Sequence, residues 1–368
     1  MRMHENSEAS SPSTQASPTA PVAADTILLG VSTFGDVDLT ADGTPKHHAQ
    51  VLRQVVEQAK VADAVGLHSF GVGEHHRKDF AVSAPEVVLA AIATATENIR
   101  LGSAVTVLSS DDPIRVFQRF ATLDALSNGR AEVILGRGSF TESFPLFGHD
   151  LADYEILFEE KLDLYDRVRS QKPVNWDGRT RAGLRGQMVY PHVEDHLLPT
   201  WIGVGGSPQS VVRTASYGYP MVLAIIGGEP ERFRPYVDLY KRTLAEKGHD
   251  QQALSVHSPG YVADTDEQAL EEYYPHWLLG RNKIGAERGW GPAGRGEFEA
   301  AADEDGALFI GSPQTVAEKV VRLKQTLGAD RFEMKFSGST LPHGSMLRSI
   351  ELFGTEVAPL VADMLAGN

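Results

Sequence analysis

Two hydrophobic periods alternate along this chain. Short apolar runs stand at "TILLGVST" (26–33), "HSFGVG" (68–73), "IRLGSAVTVL" (99–108), "AEVILG" (131–136), "PTWIGVG" (199–205), "MVLAII" (221–226), "SVHSPGYVA" (255–263) and "DRFEMKFS" (330–337). Each has the length and residue types of a buried strand. Between them, apolar residues recur every three or four positions, as on one face of a helix. Residues 46–65 carry Val51, Val55, Ala59 and Ala62 and stop at Gly66; further helices are expected over 84–96, 113–127, 153–171, from Ser207, over 230–247, through about 279, and over 344–366. The helix at 113–127 begins with Asp112 ahead of Pro113, a capping residue before a first-turn proline. "GSPQTVAEKVVRLKQTLG" repeats this with Ser312, Pro313 and a stripe of Val316, Val320, Leu323 and Leu327.

Eight strands, each followed by a helix, with strands apolar on both faces, predict an α/β fold: a single TIM (β/α)8 barrel. A doubly wound sheet is the alternative. Composition does not reset midway, so residues 26–368 read as one domain. Two stretches depart from the alternation. Residues 1–25 are rich in Ser, Ala, Pro and Thr with almost nothing to bury, and read as a disordered tail. Residues 280–306 form a long Gly-rich, charged insertion after strand seven, with Trp290 and Phe298 its large aromatics. A loop of this length is expected to be a mobile lid, its alternative being an unstructured surface insertion. Its glycines supply hinge freedom, and Arg281, Lys283, Arg288 and Arg295 supply charge to draw it towards an anion.

The chain has 368 residues and a net charge of −15, which argues against a nucleic-acid surface. No apolar run reaches the ~20 residues needed to cross a membrane, and the N-terminal stretch lacks the apolar segment of a signal peptide. No cysteine is present. That removes disulfides, thiolate ligands and cysteine nucleophiles, and fits the cytoplasm, where the protein is expected.

In a barrel the C-terminal ends of the strands line the active site. Strand two ends in Glu74-His75-His76, strand three offers Ala104-Val105, strand four ends in Gly136-Arg137-Gly138-Ser139, and strand five ends in Gly203-Val204-Gly205-Gly206-Ser207. Glu74-His75-His76 reads as a metal site, an acid/base site or a solvated loop. Alternation puts Glu74 and His76 on one face and His75 on the other. The HExxH spacing is absent and no second ligand cluster accompanies it, so no metal is assigned. Arg137 between two glycines suits a phosphate or carboxylate, the glycines letting a ligand approach the backbone, or else an ion pair at the barrel mouth. "GVGGSPQS" (203–210) fails as a dinucleotide fingerprint because Pro208 stands where the third glycine belongs. Gly205, Gly206, Ser207 and Ser210 still make a phosphate seat at a helix N-terminus, or a plain capped turn. No Gly-x-Ser-x-Gly elbow is present.

These motifs, taken in order, resemble the bacterial luciferase-like flavin monooxygenase family. The match runs through "EHH", "LGSAVTVL", "DPIR", "LSNGR", "GRG" leading to "FGHD", "GVGGSPQS", "GSPQTVAEKV" and "SIELFGTEVAPLVADML", over roughly residues 27–365. The resemblance implies an oxidoreductase binding reduced FMN, with electrons from NAD(P)H directly or through a partner flavin reductase, and O₂ and a small organic molecule as co-substrates. It implies His75 as the catalytic histidine, donating or accepting a proton near neutral pH. It implies Arg137, Ser207 and Ser210 as phosphate ligands, with Gly138, Ser139, Gly205 and Gly206 beside them, and a non-prolyl cis peptide at Ala104-Val105 against the flavin ring. A homodimer is the expected assembly. Some members use a deazaflavin; the "EHH" and "GRG" pattern points to FMN. Three departures argue against light emission from an aldehyde: Gly136 where luciferases carry cysteine, Glu155 where they carry a second arginine, and Gly206 where they carry an acid. A flavin carrier without turnover and a metal-dependent barrel hydrolase are the competing readings.

Overall fold

The computed structural model describes residues 19–138 and 140–367. Eight parallel strands close on themselves. They are β1 (Leu28–Thr33), β2 (Ser69–Val72), β3 (Arg100–Ser103), β4 (Ala131–Gly136), β5 (Thr200–Val204), β6 (Met221–Ala224), β7 (Leu254–Val262) and β8 (Arg331–Lys335). Each pairs with the next, and β8 pairs back onto β1, Leu28 opposite Arg331 through Ser32 opposite Lys335. This is the (β/α)8 barrel expected from the alternation, and the doubly wound alternative falls with the closure.

The helices follow in order: α1 (His48–Ala64), α2 (Pro85–Ala93), α3 (Pro113–Leu126), α4 (Tyr154–Arg169), α5 (Pro208–Ser216), α6 (Arg234–Lys247), α7 (Asp266–Arg288), α8 (Arg295–Ala302), α9 (Pro313–Leu327), α10 (His343–Leu352) and α11 (Ala358–Ala366). Their caps are those read from the sequence. Asp112 accepts from the amides of Ile114 and Arg115, Ser207 from Ser210, and Ser312 from Thr315. An antiparallel hairpin, Val174–Trp176 with Leu184–Gln187, lies between α4 and β5 and was not expected. No helix among the described residues is long and apolar enough to cross a membrane.

Four expectations change. The third strand breaks after Ser103; Thr106–Val107 then pairs separately with Leu135 and Gly136, and the Ala104–Val105 peptide between them is cis. Residues 19–25 of the expected tail lie on the barrel floor, the Val22 amide donating to Asp330 Oδ1 (3.1 Å) and the Ala253 amide to the Thr19 carbonyl (3.2 Å); residues 1–18 of that tail lie outside the described residues.

The expected Gly-rich loop is mostly helix: α7 continues to Arg288, stops at Gly289 in the left-handed region, and α8 follows. Interior glycines cost a helix about 1 kcal/mol each. Here packing overrides that cost. At Gly285 a β-carbon would stand 2.6 Å from Arg281 Nη1 and 3.5 Å from Trp290 Cβ. Arg281 lies over the Trp290 ring (4.7 Å) and pairs with Glu297 of α8 (2.8 Å), closing the turn between the two helices.

The barrel interior is charged, against the apolar strands expected. Arg331, Glu333 and Glu132 are each about 1% exposed. Arg331 Nη1 donates to Glu132 Oε1 (2.7 Å), Nε donates to Ser255 Oγ (3.2 Å), and the guanidinium lies 4.2 Å over the Trp201 ring. Burial raises the Glu132 carboxyl, but the Arg331 and Arg100 guanidiniums outweigh it and hold the group below its ordinary range; Glu333 is pushed up by burial.

Candidate active site

The Glu74-His75-His76 corner divides its work. Glu74 is buried. Its Oε2 accepts from the Val107 amide (2.8 Å) and its Oε1 from His76 Nε2 (2.9 Å). These two residues therefore brace the strand segment after the cis peptide. His75 turns the other way, into a cup of rings: Phe80 at 4.4 Å, Phe34 at 4.6 Å and Phe140 at 5.3 Å between centroids. One edge stays accessible, yet the rings withhold water. That desolvation pushes the imidazole down to about 4, with Asp36 opposing and Lys335 and Arg77 reinforcing it. At pH 7 it is therefore a neutral imidazole, with one N–H to donate and one lone pair to accept a proton.

Beyond Phe34 lies a second, deeper imidazole. His257 Nε2 stands 2.8 Å from Ser32 Oγ, and its ring stacks on Phe34 at 6.2 Å. Lys335 Nζ reaches Asp36 (3.0 Å) and lies over the other part of the same Phe34 ring (4.7 Å). Gly73 makes room for this: a β-carbon there would meet Phe34 Cδ1 at 2.4 Å. The mouth thus joins the ends of β1, β2, β7 and β8 around one phenylalanine.

On the other side of the mouth the structure brings Arg137, Ser207 and Ser210 together. Arg137 Nη2 donates to Ser210 Oγ (3.2 Å), and Ser207 Oγ donates to Ser210 Oγ (2.9 Å) while capping α5. Gly206 holds φ +94°, and a β-carbon on Gly205 would meet nothing within 4 Å, so the seat is open on that side. Ser139, also expected here, lies outside the described residues.

The glycines flanking Arg137 have another reason than ligand approach. A β-carbon on Gly136 would stand 2.6 Å from Val105 Cγ2, and one on Gly138, at φ +76°, 3.0 Å from Val107 Cγ1. Gly203 is likewise closed by Val105 Cγ1 at 3.0 Å. Val105 therefore packs into the barrel, against Ile134, Trp201, Val222 and Ala253. Ala104 approaches Gly71, whose absent β-carbon would lie 3.0 Å from the Ala104 methyl. His75, Ala104-Val105 and the Arg137 seat thus occupy one rim, at the C-terminal ends of β2, β3, β4 and β5.

A family model described as luciferase-like monooxygenase matches residues 31–331. The chain belongs to that family. It is 26% identical over 341 residues to limonene 1,2-monooxygenase of Rhodococcus erythropolis, covering 89% of this chain and 87% of that one. It is 25% identical over 262 residues to the alkanal monooxygenase alpha chain of Photorhabdus luminescens, covering 66% and 68%. Among solved structures, the oxygenating constituent of 3,6-diketocamphane monooxygenase from Pseudomonas putida, in complex with FMN, superposes with a TM-score of 0.73 at 19% identity over 91% of this chain and 98% of that one. An F420-dependent secondary alcohol dehydrogenase superposes at 0.71 and 17% identity, over 91% and 99%. The structural likenesses carry the fold alone.

In this luciferase-like monooxygenase, sequence reasoning missed Phe34, Asp36, His257, Lys335 and Arg213. His257 had one faint signal: with Ser255 it is a polar residue on the alternate positions of an otherwise apolar strand. Arg213 had another, standing one helical turn after Ser210 on α5.

The end of α7 reaches the same mouth. Arg77, beside His75 in the chain, pairs with Glu287 (2.7 Å) and lies over Phe140 (4.5 Å), while Lys283 pairs with Asp79 (3.1 Å). Of the cations at 280–288, Lys283 meets the loop after β2, Arg281 pairs with Glu297, and Arg288 lies over Phe140 (5.8 Å) and Trp290 (5.4 Å).

Proposed function

We propose that this monooxygenase binds reduced FMN along the rim, its phosphate on Arg137, Ser207 and Ser210 and its ring between Ala104-Val105 and His75, and that it oxygenates a small organic substrate with O₂. The observation that carries the reading is Arg137 Nη2 set 3.2 Å from Ser210 Oγ at the N-terminus of α5. Strand β4 and helix α5 lie far apart in the chain, yet a guanidinium and two hydroxyls converge where α5 begins, donors suited to an anionic phosphate ester. Thr106 Oγ1 and Ser109 Oγ, buried and unpartnered among the described residues, leave hydrogen-bonding capacity just past Ala104-Val105. The FMN named with the diketocamphane enzyme supports the same choice.

Bound and reduced, FMN supplies the electrons that activate O₂. The chain supplies the surroundings. Phe34, Phe80 and Phe140 exclude water from the face of His75. Neutral His75 offers its N–H to developing negative charge, or its lone pair to a proton, at one ring nitrogen. The end of α7 acts as the cover, held by Arg77 and Asp79. Electrons come from NAD(P)H, in place or through a flavin reductase, and the chain works as a homodimer.

Titration of the purified protein with FMN, reduced FMN and the deazaflavin coenzyme tests the reading. FMN binding that weakens in Arg137→Gln is expected; no binding of either FMN form at high micromolar concentration overturns it. His75→Ala should bind FMN and lose oxygen uptake. Undiminished uptake in that variant removes His75 from the mechanism.

A further inference from the structure

The phosphate seat has a second guanidinium and a carboxylate lying on it. Arg213 of α5 and Arg137 after β4 hold the two oxygens of one side chain, Glu155: Arg137 Nη1 on Oε1, and Arg213 Nη2 on Oε2 at 3.2 Å. The arginines are backed by rings. Arg137 lies over Tyr154 (5.2 Å), whose hydroxyl donates to the Gly138 carbonyl (3.2 Å), and Arg213 lies over Phe158 (5.5 Å). The Arg213 side chain is only 12% exposed, and Arg137 is 25% exposed. Their carboxylate partners are not so held. Glu155 is 60% exposed in the first turn of α4, and Glu159, 2.9 Å from Arg213, is 58% exposed. The cations are therefore fixed and the anions free to swing.

We propose that Arg213 is the second cationic arm of the flavin phosphate seat, and that Glu155 occupies the seat as a displaceable counter-ion when no phosphate is bound. The proposal rests on the flavin reading above and assigns two residues to it. Two guanidiniums that share both oxygens of a carboxylate have the spacing to share two oxygens of a phosphomonoester. An exposed ion pair holds Glu155 by no more than about 1 kcal/mol. A phosphate of charge about −1.5 to −2 displaces a carboxylate of charge −1 from the same pair. The consequence is specificity and exchange together: the seat selects the phosphorylated flavin, and holds it less tightly than two arginines alone would.

The test is equilibrium binding of FMN and of riboflavin, followed by flavin fluorescence, to wild type, Arg213→Gln and Glu155→Gln. Arg213→Gln should weaken FMN about tenfold, the loss of one charge-assisted contact. Glu155→Gln should tighten FMN by roughly two- to fivefold, the reverse of a surface ion pair. Riboflavin, lacking the phosphate, should bind all three alike. FMN affinity unchanged in Arg213→Gln overturns the proposal, as does an equal loss of riboflavin, or weaker FMN binding in Glu155→Gln. Inorganic phosphate separates this from the parent reading. Its stabilisation against heat, at constant ionic strength, should grow in Glu155→Gln and vanish in Arg213→Gln. A wild type that binds no flavin but follows this phosphate pattern sinks the flavin reading and keeps the two-arginine seat; a phosphate effect indifferent to both substitutions sinks the seat.

Discussion

His257 sits deepest of the imidazoles at the barrel mouth, and its protonation is set by burial. Desolvation pushes it down to about 4, with Lys335 and Arg331 adding to the effect. Unfolded, the same side chain titrates near its ordinary 6.5. Above that value both states are neutral and the pH does not matter. Between about 6.5 and 4 the unfolded chain takes up a proton that the folded chain refuses, so stability falls as pH falls through this window. A shift of this size corresponds to about 3 kcal/mol per group at the acid end. Urea unfolding measured at falling pH should therefore show a steep loss below about pH 6.5, and His257→Asn should flatten it. An equally steep loss in the variant would assign the acid sensitivity to the other depressed imidazoles, foremost His68 and His75.

At the scale of elements, the end of α7 packs against the loop after β2 and is the proposed cover of the His75 cup. Its hold on the loop after β2 consists of Arg77–Glu287 and Lys283–Asp79, with Arg77 also paired to Glu142. Arg77 itself is little exposed, but Glu287 is 43% exposed, so each pair is worth well under 1 kcal/mol alone. Glu287→Lys replaces attraction by repulsion against Arg77. Amide hydrogen exchange over 280–290 should rise by several-fold while the midpoint of thermal unfolding stays within about 2 °C, since a surface change of this kind costs roughly 0.5 kcal/mol globally. Flavin oxidation in the same variant should yield more hydrogen peroxide and less product. Unaltered exchange over 280–290 would show that apolar packing of Trp290 and Phe298, not the ion pairs, holds the cover.

At the scale of the whole barrel, one buried network ties most of the strands. Ser69 of β2 donates to Glu333 (2.9 Å), Arg100 of β3 approaches Glu132 of β4 (3.6 Å), Trp201 of β5 donates to Glu132 (3.3 Å), and Ser255 of β7 meets Arg331 of β8. Removing the cation leaves two carboxylates buried in the interior. Arg331→Met should cost about 3–5 kcal/mol, read as a fall in the urea midpoint. Arg331→Met with Glu132→Gln and Glu333→Gln should recover part of that loss. A triple variant no more stable than the single one would place the damage in packing against Trp201 rather than in uncompensated charge.

Hydrophobic periodicity was enough to order eight strands and their helices, because a buried parallel strand and an amphipathic helix each write their burial locally. Capping wrote Asp112, Ser207 and Ser312 just as locally. The motifs also marked the strand ends that make the rim, since a parallel barrel puts every C-terminal strand end on one face. What the chain could not write locally, closure decided. Arg331 and Glu333 look like interruptions of an apolar strand until β2, β4, β5 and β7 bring them partners. Gly136 and Gly138 read as ligand approaches until Val105 and Val107 are seen to fill them. Glycines at 280 and 285 read as loop until Trp290 and Arg281 pack the helix. Whether His75 is charged depends on Phe34, Phe80 and Phe140, which come from three separate corners of the sequence. The pairing of Arg137 with Arg213 across Glu155 depends on β4, α4 and α5 meeting. Most of these are contacts between residues distant in the chain, and periodicity, which runs along it, carries no record of them.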